Sequence, residues 1–145
     1  MKIQINNAAP VQCTKKIFIA AQPEIVWNIL TDIHNWSKWQ TDISNVSIEN
    51  SMAPGTNFKW KTGGAKINST LHTVLPYKAF GWTGKTIGLL AIHNWKLEQD
   101  NDGTLLSVEE SMQGLLAIVF KKSFNSNLEK GMLHWLGLLK KECEK

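Results

Sequence analysis

The sequence predicts an α+β fold: a curved seven-stranded antiparallel sheet wrapped around one long C-terminal helix, with two short helices after the first strand. Three observations carry that prediction. Residues 56–114 alternate apolar and polar side chains between regularly spaced turn signals, as an antiparallel meander does. Pro23-Glu24 opens a helical stretch directly after a first strand. Beyond Gly114 the apolar spacing changes from two residues to three and four. A seven-stranded sheet this long curls, and the last helix lies in its groove as the second layer.

The elements follow in order. Residues 1–10 are polar and Asn-rich and read as a loose lead-in. Val11 to Ala20 is the first strand, with Ile17 and Ile19 on one face. Pro23 suits a first helical turn and Glu24 suits the positive end of the dipole, and Ile25, Val26, Ile29 and Leu30 supply the helical spacing. Thr31 or Asp32 can cap a second short helix, Ile33 to Trp39, and Ser44 to Glu49 is a short strand.

Within the meander, the turns fix the register. Phe58, Trp60 and Thr62 alternate with Lys59 and Lys61, and Gly63-Gly64 tolerates the positive φ values of a tight hairpin. That turn pairs Thr62 with Ala65, Trp60 with Ile67 and Phe58 with Ser69. A turn at Pro76-Tyr77 sets Thr73 against Phe80 and Leu71 against Trp82. A turn at Ile87-Gly88 sets Trp82 against His93 and Phe80 against Trp95. Asp100-Asn101-Asp102-Gly103, the strongest turn signal in the chain, sets Trp95 against Val108 and His93 against Glu110. These registers put the apolar set on one face, and a slip of one residue would turn it outward. The inner face then carries a row Leu71, Trp82, His93, Glu110 and a flanking row Thr73, Phe80, Trp95, Val108. Lys59, Lys61, Lys66, Lys85, Lys96 and Glu109 point outward, and His72 shares that outward parity, which reads as surface.

After Gly114, Leu115 to Phe120 is an apolar run. Phe124, Leu128, Gly131 or Met132, Trp135, Leu138 and Leu139 continue a helical stripe. Gly131 and Gly137 each cost the helix about 1 kcal/mol relative to Ala. Gly131 either makes room for a guest molecule or allows close packing of helix on strand.

Composition narrows the function classes. At 145 residues the chain reads as one domain, 1–145. Its formal charge is +4, and all 16 basic residues are Lys. Arg supplies the bidentate base and phosphate contacts on which nucleic-acid binders lean; with none here, and the lysines scattered, no nucleic-acid partner is expected. Cys13 and Cys143 form no CxxC; a disulfide between them is conceivable, but two isolated cysteines without an export signal read as free thiols, and a cytoplasmic setting is the default expectation. No stretch approaches transmembrane length, so no stable membrane insertion is expected. Histidine and carboxylate spacing gives no metal site, and no cofactor is implied. Oligomeric state has no signature.

Ile17-x-Ile19-x-Ala21-x-Pro23-Glu24-x-Val26-Trp27-x-x-Leu30-Thr31-Asp32, followed by Trp36-x-x-Trp39, resembles the START-like (SRPBCC) superfamily. Gly103-Thr104, the strand glutamate (Glu109 or Glu110) with Gly114 after it, and the long last helix are similar to it too, so the likeness spans about residues 11–142. It implies the helix-grip fold of birch-pollen-type allergens, lipid-transfer domains and bacterial polyketide cyclase/dehydrase-like proteins. That fold serves binding, cyclisation and chaperone stimulation alike, so it does not choose a function.

The candidate site is the concave face and the helix that crosses it. Phe58, Trp60, Leu71, Trp82, His93, Trp95, Glu110, Met112, Phe120, Phe124, Leu128, Gly131 and Trp135 are the candidate ligand-binding residues. Clustered aromatics there either fill a core or line a pocket for a flat or apolar ligand. An ionisable pair on an apolar face needs a partner. His93 and Glu110 can be each other's, as an internal hydrogen bond, as a polar anchor for a ligand carbonyl or hydroxyl, or as a catalytic acid/base pair. The expected function is binding of a small hydrophobic, aromatic or lipid-like molecule. The alternative is a polyketide cyclase/dehydratase-type enzyme using His93–Glu110. The loop Asn50–Gly55, the Ile87–Leu90 turn and Leu115–Phe120 are the expected entrance.

Overall fold

Alternation along the chain builds seven strands in the computed structural model, which describes residues 3–145. They are β1 (Val11–Ile19), β2 (Ile43–Ile48), β3 (Asn57–Thr62), β4 (Ala65–Leu75), β5 (Ala79–Thr86), β6 (Leu89–Asp100) and β7 (Gly103–Gln113). All neighbours are antiparallel, in the order β1-β7-β6-β5-β4-β3-β2, so the first strand closes the sheet against the last. Between β1 and β2 lie α1 (Pro23–Thr31), a single 3-10 turn and α2 (Trp36–Trp39). Two helices follow β7: α3 (Leu115–Val119) and α4 (Lys121–Cys143). This is the helix-grip arrangement, with α4 crossing the concave face and burying Met132, Trp135, Leu136 and Leu139.

The registers hold at three hairpins. Trp60 faces Ile67, Trp82 faces His93, and His93 faces Glu110. The fourth differs. Leu75 pairs with Ala79, leaving a three-residue turn Pro76–Lys78, and Thr73 pairs with Gly81 rather than Phe80. A bulge between Leu71 and Thr73 absorbs the extra residue and restores Leu71 opposite Trp82. The row Leu71, Trp82, His93, Glu110 is therefore intact, whereas Thr73 leaves its expected row.

From Ile3 onward the lead-in is tied down instead of loose; its first two residues lie outside the described residues. Asn6 donates from its backbone to Ser111 Oγ and from its side chain to Gln113 Oε1. Ile3 donates to His72 Nδ1, and Asn94 Nδ2 donates to the Ile3 carbonyl. This strap covers the outer face, so His72 is buried rather than on the surface.

The expected single C-terminal helix is broken at Phe120, whose backbone leaves the helical region. The two pieces bury different faces. Ala117 of α3 is fully buried at the rim of the sheet, while α4 spans the groove, so the chain must turn between them. Gly114 makes the preceding corner. Its φ is +116°, and a Cβ there would sit 2.5 Å from the Gly88 carbonyl oxygen, which only glycine allows.

Candidate functional site

The inward-facing side chains divide the groove in two. At one end, Trp36 from α2 sits at the middle of an aromatic cluster, with ring centroids 5.3–5.8 Å from Phe58, Trp60, Trp82 and Trp135. Here the aromatics are core. Toward the other end the inward residues shrink along each strand, from Trp82 to Gly84 on β5 and from His93 to Ala91 on β6. The space left is a cavity of about 350 Å³. Its wall is mostly apolar, and it reaches the surface between exposed residues of β5, the β3–β4 hairpin and α4: Lys85, Gly63, Asn127 and Gly131.

Of the residues singled out from sequence, Trp60, Trp82, His93, Glu110, Met112, Phe124, Leu128, Gly131 and Trp135 line this cavity. Four do not. Phe58, Leu71 and Trp95 are packed into the closed aromatic half. Phe120 is half exposed beyond the wall, with its ring 6.0 Å from that of Phe124. Gln40, Ile43, Ile67, Gly84, Ala91 and Met132 also line the cavity and were not anticipated. Ile67, Gly84 and Ala91 were within reach: they share the inward parity of Trp60, Trp82 and His93, and their small size is the signal for space. A Cβ on Gly131 would meet nothing within 4 Å, so this glycine borders open room and does not seat a close helix–strand contact. The rim also departs from expectation. Of the expected entrance, Leu89 of the Ile87–Leu90 turn lines the cavity, whereas no residue of Asn50–Gly55 or Leu115–Phe120 does, and Asn50–Met52 line a separate depression beside Thr31 and His34.

The polar groups of the wall are few and placed by neighbouring strands. His93 Nδ1 is hydrogen-bonded to Glu110 Oε1, and both side chains are buried. In the neutral tautomer whose Nδ1–H donates to Glu110, Nε2 is an acceptor. The imidazole lies flat on the Trp82 indole, 4.4 Å away and 3° from parallel, which fixes its plane. Trp36 Nε1 donates to the Leu30 carbonyl and Trp60 Nε1 donates to Ser69 Oγ, so those indoles are satisfied. His93 Nε2 and Trp135 Nε1 are buried and have no protein partner. Both belong to cavity-lining side chains.

A family model described as "Polyketide cyclase / dehydrase and lipid transport" matches residues 10–141. The chain belongs to that family. Membership agrees with the sheet, the groove and the helix that crosses it, and leaves the cavity's occupant open. Solved structures share the fold at low identity. A hypothetical protein, jhp0584, from Helicobacter pylori is 20% identical with a TM-score of 0.85, over 99% of this chain and 98% of that one. The Zhui aromatase/cyclase from a Streptomyces species is 13% identical with a TM-score of 0.81, over 92% and 93%. Ara h 8.0201 is 12% identical with a TM-score of 0.73, over 91% and 96%. No curated protein matches the sequence.

Proposed function

We propose that this member of the polyketide cyclase/dehydrase and lipid transport family binds a small, largely apolar molecule bearing a hydroxyl or carbonyl group, in the cavity between β3–β7 and α4. One observation carries the reading: two polar atoms of side chains on a mostly apolar wall, His93 Nε2 and Trp135 Nε1, are buried without a partner. A buried polar atom left unmatched costs about 1–3 kcal/mol, and a ligand oxygen offers both atoms what they lack. With a small side-chain shift that brings them to the cavity surface, Trp135 Nε1–H can donate to a ligand acceptor, and His93 Nε2 in the neutral tautomer can accept from a ligand hydroxyl. The cavity volume falls at the lower end of the range for small-molecule sites, and flat indole faces suit a planar or aliphatic body.

The alternative drawn from the sequence, a cyclisation or dehydration with His93–Glu110 moving the proton, uses the same wall. It ranks second because a hydrogen-bonded pair of this kind is as readily structural.

Native mass spectrometry of the purified protein, repeated after denaturation, tests the first reading. A discrete extra mass that disappears on denaturation, and that is lost when Trp135→Phe and His93→Phe are combined, supports it. A bare mass, together with no change in tryptophan emission across a panel of hydroxylated and carbonyl-bearing apolar compounds, overturns it.

A further inference from the structure

Beside the cavity mouth the fold leaves a set of large apolar side chains in solvent. Ile87, at the tip of the β5–β6 hairpin, is 91% exposed; Leu115, Ile118 and Val119 of α3 are 69%, 65% and 61% exposed, and Phe120 is 50% exposed. They form one surface. The hairpin tip is bound to the start of α3 through Leu116 N–H donating to the Gly88 carbonyl, 3.3 Å, and Leu116 packs over Gly88. Phe120 continues the surface to Phe124 on the cavity wall. A contiguous exposed apolar patch of this kind marks a docking face.

Its charge selects the occupant. Lys85, Lys121 and Lys122 are exposed at its border. Neither the stretch 79–97 nor the stretch 111–128, which together build the patch, contains an Asp or Glu. Apolar side chains bordered by lysines, on stretches without an acidic residue, complement a surface of acyl chains beneath anionic headgroups. A second copy of this chain fits poorly: a symmetric dimer through this face would bring the same three lysines of each copy together.

We propose that the Ile87–Phe120 patch docks the protein reversibly on an anionic phospholipid bilayer, with the cavity mouth beside the membrane. The attachment is peripheral. Among the described residues no helix is long and apolar enough to cross a membrane. The patch alone carries this proposal, so it stands or falls apart from what the cavity binds.

Co-sedimentation tests it, using vesicles of phosphatidylcholine alone and vesicles in which phosphatidylserine replaces one lipid in three. The expected result is binding to the anionic vesicles only, weakened by added salt. Lys121→Gln and Lys122→Gln should each reduce partitioning about fivefold. Leu115→Ser combined with Ile118→Ser, at positions already in solvent, should abolish binding with the circular dichroism and melting profile unchanged. The cavity-filling variant Ala91→Phe should dock normally, which separates this result from failure of the ligand reading. Absence of binding to anionic vesicles overturns the proposal, as does undiminished binding by the Leu115/Ile118 variant. Self-association broken by that same variant, without vesicle binding, would assign the face to a second copy and overturn it equally.

Discussion

His93 and Glu110 face each other across the β6–β7 ladder and are hydrogen-bonded through Nδ1 and Oε1, with both side chains buried. Removing one partner strands the other in an apolar wall, and breaking such a pair costs about 3–5 kcal/mol. Glu110→Ala should therefore lower the melting temperature by about 6–20 °C. Replacing both, as His93→Phe with Glu110→Leu, removes the stranded group and should recover much of the loss. A double variant as unstable as the sum of the two single ones would show that the side chains are not coupled.

Ala91 is the small residue that lets the cavity exist beside His93. Ala91→Phe places a ring in empty space, so the fold should be kept, with melting unchanged or raised. Ligand capture should be lost. Retention of a bound mass or of tryptophan quenching in this variant would place the ligand elsewhere.

The two interior glycines of α4 have open space where a Cβ would go. Ala at either position avoids a clash and removes the helix penalty of about 1 kcal/mol, so Gly137→Ala should raise the melting temperature by about 2–4 °C. Nothing in the structure explains a glycine at 137. Gly131→Ala should stabilise similarly, whereas Gly131→Leu at the cavity rim should slow ligand entry, measurable by stopped-flow tryptophan quenching. Unchanged entry rates would remove residue 131 from the entrance.

Burial pushes the Cys143 thiol up to about 12 from an ordinary value of 9.0, and Cys13 is raised in the same direction by its own burial. Two outcomes follow. Neither thiol should react quickly with iodoacetamide at pH 8 in the native protein, and both should react once it is unfolded. Above pH 9 the unfolded chain releases the Cys143 proton while the native chain keeps it, so stability falls as pH rises from about 9 toward 12. Denaturant midpoints across that range check the sign, and Cys143→Ser should flatten the slope. Rapid native-state alkylation of Cys143 would contradict its burial at the end of α4.

Much of the sheet is legible in the sequence because period-two alternation and turn chemistry constrain each other. Gly63-Gly64 and Asp100–Gly103 each leave one register that keeps the tryptophans inside, and the strands adopt it. Pro76-Tyr77 is less informative. A two-residue turn and a three-residue turn followed by a bulge give the same pairing of Leu71 with Trp82, and nothing local to Thr73 separates them. His72 is hidden by a strap held through individual hydrogen bonds to Ser111, Gln113 and Asn94, which leave no periodic trace among polar residues. The break at Phe120 is silent for the opposite reason: Leu115 to Phe120 is apolar throughout, so it shows no change of buried face. The cavity was half legible. Its walls were named from parity, but its position along the groove depended on side-chain size, and Gly84 and Ala91 mark where the large residues stop.

That gradient of size has a mechanical side. One end of the molecule is a solid block of interlocked rings, and the other encloses a volume that unfolding would abolish. Proteins with internal voids lose stability under hydrostatic pressure, to a degree that scales with the void. The empty protein should therefore be soft to compression at its Gly84–Ala91 end and stiff at its Trp36 end, and whatever molecule fills the space becomes a strut, making the filled protein resistant to pressures that unfold the empty one.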